Sequence, residues 1–446
     1  MTLTRTEAQR LIQSALKAAT LKEIFVRVSS GLEGNLRFAG NAPTSSGEVE
    51  RLDISVTAAR ERASATVSGN PRDAAGIAAL VRRAEDLAAL APVDPEHMPP
   101  LGPQTYADDP RRPLTMDAAT AKLTAALRTD VVAQALKVAR DGKLVASGIV
   151  EHSHRSTALG SSAGLFAYYP ATEVSLTTTF RTPDGSGSGW AGAMSHRLAD
   201  LDATALARRA ADKAEMSRGG GVALEPGAYT VVLEAQAVAD LLEFLVGSLG
   251  ARAADEGRSF FARPGGNAIG EALFSPNIAL RSDPMDATYP SAPFAGDGLP
   301  LPRTAWIEGG KLLALTSSRY WAQKQGRAPL SAPNSLFMTG GSASVAELVR
   351  GVERGVLVTR FWYNRMLDPR QILATGLTRD GTFKIVGGAL AGPVKNMRYN
   401  DSPVTLLKRV LALGRPERVI AGDGTVVVVP PMVVDGFNFA SVSDAV

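Results

Sequence analysis

Cysteine is absent from this 446-residue sequence, and histidine occurs only four times. Without cysteine the chain can form no disulfide, iron–sulfur cluster or Cys-ligated zinc site, and it has no thiolate nucleophile. Long apolar runs are missing too: the longest, residues 426–434, is interrupted by Pro430 and Pro431, whereas a membrane-spanning helix needs about 20 apolar residues. These absences exclude disulfide scaffolds and cysteine-based redox chemistry. They fit a reducing compartment, and we expect a cytoplasmic chain with no membrane segment.

A strong excess of one charge is also missing. The chain has 48 Lys and Arg against 44 Asp and Glu, a net charge of +4 with neutral histidine, and its basic residues are scattered. A nucleic-acid-binding surface needs basic residues clustered on one face, so we expect no nucleic-acid partner. The hydrophobic fraction of 45% is ordinary for a globular protein, and the length suggests about two to three domains.

Residue patterns in the first half predict helices interspersed with β-hairpins. Apolar positions at helical spacing predict an N-terminal helix, which starts with a capping box of Thr4 and Glu7, and a helix over 115–140. Alternating residues predict a hairpin from strands 24–29 and 35–39. This half therefore mixes both kinds of element.

The second half has mostly short strands separated by glycine turns. Its pattern predicts a strand over 229–233, a helix over 237–252 and a further helix over 345–354. Hairpin turns are expected at three places, namely Gly309-Gly310, Gly387-Gly388 and Asp423-Gly424.

A serine- and glycine-rich stretch at 217–221 separates the two halves. We therefore predict an α+β fold. Residues 1–220 are expected to form an N-terminal α/β domain of hairpins and helices. Residues 221–446 are expected to form a β-rich C-terminal domain with a few helices.

Two local motifs could carry chemistry, and neither has the context that its chemistry needs. Residues 160–164 match G-x-S-x-G, but a nucleophile elbow around Ser162 requires a helix after the turn, and a strand follows here. We predict a hairpin turn instead. His152 and His154 alternate on a strand and could meet one metal ion. No third ligand is in view, so we predict that this strand face is solvated.

Several stretches, in their order along the chain, resemble the TldD/PmbA (TldD/TldE) family, which is linked to zinc metallopeptidase activity. The resemblance covers most of the length, and the order and spacing of the stretches carry it more than any single one. The resembling stretches are 35–39, 160–180, the following GSGSGWAG, 229–250, 355–363, 375–383 and 392–399.

The resemblance implies a zinc site that this chain has lost. In catalytic members a helix carries HExxxH, whose two histidines bind zinc and whose glutamate acts on water, and a cysteine near the C-terminus completes the site. Alignment of the strand and helix places Glu243 at the first histidine, Phe244 at the glutamate and Ser248 at the second histidine. The cysteine position falls near Ile420. We therefore expect no catalytic residue, no metal and no cofactor by the family's route.

This pattern resembles the PmbA/TldE-like members, which lack the zinc motif. The resemblance implies a non-catalytic subunit, a pseudo-peptidase, that pairs with a TldD-like metallopeptidase to process or degrade extended peptides. The alternative is a stand-alone homodimeric peptide-binding or scaffold protein without protease activity. A third possibility, a hydrolase that uses Ser162 or the histidine pair, lacks the required local geometry.

Overall fold

A computed structural model describes residues 2–107, 116–420 and 425–443 of the chain. Its first sheet has six strands in the order β3-β2-β1-β4-β5-β6, and every neighbouring pair is antiparallel. The strands are β1 (Glu23–Ala39), β2 (Ala42–Arg60), β3 (Ala63–Gly69), β4 (Val145–Ser161), β5 (Phe166–Arg181) and β6 (Ser188–Ser195). The accompanying helices are α1 (Arg5–Ala18), α2 (Ala74–Ala88), α3 (Ala118–Ala121), α4 (Ala125–Asp141) and α5 (Ala203–Met216).

Helices cover one face of this sheet because its strands alternate between apolar and polar residues. Val26 and Ala158 face α1 and α2, while Val150 and Leu176 face α4 and α5, and all four side chains are buried. Successive side chains on a strand point to opposite faces. The face away from the helices therefore carries the polar residues of the same strands.

The remaining elements form three further sheets around the largest core. Their orders are β12-β11-β10-β13-β20-β19, β14-β7-β21-β17-β15-β16 and the small β8-β9 pair. The strands are β7 (Gly227–Leu233), β8 (Ala262–Arg263), β9 (Gly266–Asn267), β10 (Leu280–Ser282), β11 (Thr304–Glu308), β12 (Lys311–Leu312), β13 (Leu336–Met338), β14 (Arg354–Asp368), β15 (Leu373–Val386), β16 (Ala389–Pro393), β17 (Met397–Asp401), β18 (Val410–Leu413), β19 (Glu417–Arg418), β20 (Val426–Val429) and β21 (Met432–Val442). The helices are α6 (Ala235–Gly247), α7 (Ala251–Asp255), α8 (Arg319–Lys324), α9 (Val345–Arg350) and α10 (Pro403–Lys408).

These elements confirm the α+β class, with helices and hairpins in the first half and a β-rich second half. Hairpin turns lie at Gly309-Gly310 and Gly387-Gly388, where all four glycines have positive φ. The turn expected at Asp423-Gly424 falls outside the described residues. The domain boundary at residue 220 stays a prediction. No helix within the described ranges is long and apolar enough to span a bilayer.

The first predicted hairpin is wrong. Residues 24–29 and 35–39 both belong to the single strand β1, which pairs with β2 along its whole length. The intervening glycines stay extended in the strand, and the chain reverses later, at Gly40 and Asn41, which both have positive φ. Glycine in a strand pattern indicates a turn only where the backbone enters the left-handed region.

Three predicted helices are shorter in the structure. The segment 115–140 contains α3 and α4, because Thr124 caps a new helix by accepting a hydrogen bond from the Leu127 amide. The helix expected over 237–252 ends at Gly247 and is followed by the separate α7. The helix expected over 345–354 ends at Arg350, and Arg354 already begins β14.

Candidate functional site

Helix α6 follows β7 directly and contains two of the predicted zinc-motif positions, Glu243 and Phe244, with a third, Ser248, at its C-cap. Its apolar stripe, including Leu241, Leu242 and Leu245, is buried in the core of the second half. Glu243 is half-buried, and Phe244 packs against the same core. Ser248 caps the C-terminus of the helix, and its hydroxyl donates a 2.7 Å hydrogen bond to the Phe244 carbonyl.

The fourth position, Ile420, also meets α6, but near the start of the helix. The Gln236 side-chain amide donates to the Ile420 carbonyl and its oxygen accepts from the Ile420 amide, both at 3.0 Å. Seven residues of helix separate Gln236 from Glu243, about 10 Å along the axis. Ile420 therefore lies beside the first turn of α6 and not beside Glu243, and its side chain packs among apolar residues that include Met194.

Asp240 is a titratable residue on α6 that the sequence analysis missed. Its carboxylate accepts hydrogen bonds from the Gln236 side chain at 2.9 Å and from the Phe361 amide at 2.8 Å. Burial raises the pKa of Asp240 to about 7, and the nearby charge of Glu243 acts in the same direction. In the sequence, Gln236 and Asp240 are four residues apart, a spacing that puts both side chains on the same side of a helix and indicates that they interact.

A buried ion pair connects α5 to the residue that precedes α6. Lys213 Nζ lies 2.7 Å from Glu234 Oε2, and both side chains are largely buried. Burial lowers the pKa of Lys213, and the Glu234 charge opposes this effect. Nearby, the Arg360 guanidinium lies 4.8 Å from the Trp190 ring centroid. These contacts hold the first sheet against the start of α6.

The other candidate residues have structural surroundings. Ser162 lies in the turn between the antiparallel strands β4 and β5, as expected. Its hydroxyl donates a 2.7 Å hydrogen bond to the Lys22 carbonyl and accepts a 3.0 Å hydrogen bond from the Ile24 amide. The prediction of a solvated face at His152 and His154 is wrong for His152, which is 4% exposed. It faces the helices, where its Nδ1 lies 3.3 Å from the Arg128 guanidinium. Among the described residues, no cluster of three or more potential ligands could hold a metal.

A cleft with a volume of about 990 Å³, here the central cleft, opens beside α5 and the start of α6. Residues of β6, β16 and β19 line it, as do the α9 residues Val345 and Val349. In the described part of the chain, each of these three strands is the last of its sheet. Edges of three sheets therefore converge on one large opening.

The fold is shared with several solved structures. TldE from Thermococcus kodakarensis matches with a TM-score of 0.85 and 16% identity, over 97% of this chain and 100% of that one. A proposed modulator of DNA gyrase from Bacteroides thetaiotaomicron matches with a TM-score of 0.81 and 19% identity, over 98% of each chain. A proposed modulator of a DNA gyrase from Thermotoga maritima matches with a TM-score of 0.80 and 18% identity, over 98% of this chain and 99% of that one. Among curated protein sequences, the comparison finds no significant match.

Sequence comparison with family models covers most of the chain. Residues 113–218 match the PmbA/TldA metallopeptidase central domain, and residues 226–441 match the PmbA/TldA metallopeptidase C-terminal domain. The second match contains α6 and Ile420. The chain belongs to the PmbA/TldD family.

Proposed function

We propose that this chain is the non-catalytic, PmbA/TldE-like subunit of a cytoplasmic metallopeptidase. In this proposal it pairs with a TldD-like zinc subunit and helps to process or degrade extended peptides. The observation that carries the proposal is the set of residues at the aligned zinc-motif positions on α6. None of them offers the combination of ligands and base that the family's catalytic members use.

The chemistry of these residues does not fit zinc. Catalytic zinc sites use three protein ligands, drawn from histidine, cysteine and carboxylates, and leave one position for water. Glu243 is one carboxylate, the Ser248 hydroxyl already donates to a helix carbonyl, and Ile420 has no ligand atom in its side chain. Phe244 has no group that could take a proton from water. We therefore derive no hydrolytic step from this helix.

The central cleft supports a role in holding peptides. An extended peptide can add as a strand to an exposed sheet edge, where main-chain hydrogen bonds bind it with little regard to sequence. Edge strands β6, β16 and β19 offer three such places around a volume that admits a peptide segment. A subunit with this cleft and with Phe244 in place of the motif glutamate would present peptides to a partner's zinc site.

Co-expression with a TldD-like subunit tests the pairing. The tagged chain should retain an untagged partner that carries HExxxH in a stable 1:1 complex, and the complex should cleave an unstructured peptide. Glu243→Gln in this chain should leave the rate within about twofold, because Glu243 is proposed to have no catalytic role. Mutation of the motif glutamate of the partner to glutamine should abolish cleavage.

Two outcomes would overturn the proposal. A chain that never retains the partner and forms only homodimers would favour the stand-alone scaffold. Metal-dependent peptidase activity of the purified chain alone would show that it is catalytic.

A further inference from the structure

A second cavity lies on the polar face of the first sheet, opposite its helices. Paired residues on neighbouring strands lie on the same face, and the register places Thr157 of β4 beside Tyr169 of β5. Arg27, Arg155 and Glu173 belong to the same face. All five residues line a cavity of about 390 Å³, here the sheet-face cavity.

A segment from the second half of the chain covers this cavity. The Tyr289 hydroxyl donates a 2.8 Å hydrogen bond to Glu173 Oε2. Asn334 Nδ2 holds the following residues by donating to the carbonyls of Ala292 and Phe294, at 3.0 and 3.2 Å. The volume lies within the range of about 300–1,000 Å³ that is typical of small-ligand sites. The sheet and its cover thus form a walled pocket.

The two arginines that line the cavity differ in their ion pairs. Arg27 and Arg155 are opposed by a single lining carboxylate, Glu173. Arg155 has two carboxylate neighbours at ion-pair distance, Glu173 at 3.7 Å and Glu33 at 3.8 Å. Within the described residues Arg27 has no ion pair, and its guanidinium points toward the cover at Gly296.

Two polar atoms beside the cavity also lack partners. The Tyr169 hydroxyl and His196 Nδ1 are buried without a hydrogen bond to any described residue, and the His196 side chain is only 4% exposed. Burial lowers the pKa of His196, which keeps the ring neutral near pH 7. Buried polar groups without partners are rare in proteins and mark places where a ligand or water bonds.

We propose that the sheet-face cavity binds a carboxylate group of a peptide, held by the guanidinium groups of Arg27 and Arg155. A carboxylate in the cavity gives Arg27 an ion-pair partner, and guanidinium groups pair with the planar carboxylate in a fixed geometry. The cavity lies next to the central cleft, since Thr288 lines the cleft and Tyr289 lines the cavity. A peptide in the cleft can therefore place an acidic group in the cavity. The site extends the peptide-handling part of the proposed function.

Peptide binding to the purified chain alone tests this site, so the result is independent of any TldD-like partner. Three tetramethylrhodamine-labelled hexapeptides of alanine, threonine and valine are compared by fluorescence polarisation. One has a free C-terminal carboxylate, one is amidated, and one is amidated with a single aspartate. The free acid, the aspartate peptide or both should bind at least about tenfold more tightly than the neutral peptide. The pattern distinguishes a C-terminal carboxylate from an acidic side chain.

Substitutions locate the binding. Arg27→Gln and Arg155→Gln should each weaken binding of the carboxylate peptide about tenfold. Arg37→Gln is the matched control, because Arg37 is an exposed arginine on the same face of β1 outside the cavity. The R37Q chain should bind the carboxylate peptide with unchanged affinity. Equal affinity for the neutral peptide, no peptide binding at all, or equal losses in R27Q and R37Q would each overturn the proposal.

Discussion

Asp240 shows how the surroundings of one residue change its acid–base behaviour. It lies on the apolar helix α6, and burial raises its pKa to about 7, above the ordinary aspartate value. The folded state therefore binds more protons than the unfolded state between these two pKa values. Stability consequently falls as the pH rises through this window and no longer changes above the folded pKa.

Asp240→Asn tests this effect. Asparagine cannot ionise, so the loss of stability between pH 5 and pH 8 should be smaller than in the unmodified chain, by about 1–3 kcal/mol. Thermal unfolding at several pH values measures the slope, whatever the absolute stability of the variant. Asp130→Asn, at an exposed position of α4, should leave the slope unchanged. The account of Asp240 fails if D240N retains the full pH dependence.

The Gln236 side chain attaches helix α6 to the residue Ile420, which follows β19. Gln236 makes two hydrogen bonds to the Ile420 backbone and a third to Asp240. In the catalytic pattern that the family resemblance implies, zinc connects this helix to the C-terminal cysteine. Here an amide connects the helix to the same segment, about two turns nearer its start.

Gln236→Ala should loosen this attachment. Removal of the hydrogen bonds should destabilise the chain by about 1–3 kcal/mol and speed hydrogen exchange at the Ile420 amide. Gln13→Ala, on the exposed side of α1, is the matched control and should change neither quantity. Unchanged protection of the Ile420 amide in Q236A would show that packing of the Ile420 side chain holds the segment instead.

Local patterns predicted the kinds of elements better than their ends. The glycine-pair turns were predictable because glycine, which has no Cβ, adopts left-handed backbone without a steric cost. The long strand β1 was not, because Gly31 and Gly34 stay extended in it, and alternation alone cannot distinguish a strand that continues from one that turns. The apolar spacing continues to Leu249 and therefore predicts a helix that runs through Gly247, where α6 ends.

At the scale of the whole molecule, one buried and one more exposed ion pair link the two halves of the chain. Lys213 on α5 pairs with Glu234 before α6, and Arg209 on the same helix reaches Glu417 of β19 at 2.9 Å. A buried pair such as Lys213–Glu234 contributes little compared with a well-packed apolar substitute, but the loss of one partner leaves a buried charge without compensation.

Glu234→Gln should therefore destabilise the chain by about 3–5 kcal/mol. The double variant Lys213→Met/Glu234→Leu should regain most of that loss, because it buries no charge. Thermal unfolding of the three proteins measures both effects. Equal melting temperatures for E234Q and the unmodified chain would mean that water, not Glu234, compensates Lys213.

Functional sites that combine distant segments could not be predicted from local patterns. The family resemblance located α6, because its motif lies within a few consecutive residues. The sheet-face cavity combines Arg27, Arg155 and Tyr289, and only the fold brings them together. The three edge strands of the central cleft likewise belong to different sheets.

Zinc content tests the central claim most directly, namely that this chain is the non-catalytic member of its family. The full-length chain would be purified without chelators, incubated with zinc, freed of unbound metal and analysed by elemental mass spectrometry. We expect less than about 0.1 zinc per chain, because the α6 positions lack a ligand set. Stoichiometric zinc that is lost on Glu243→Gln substitution would contradict the account.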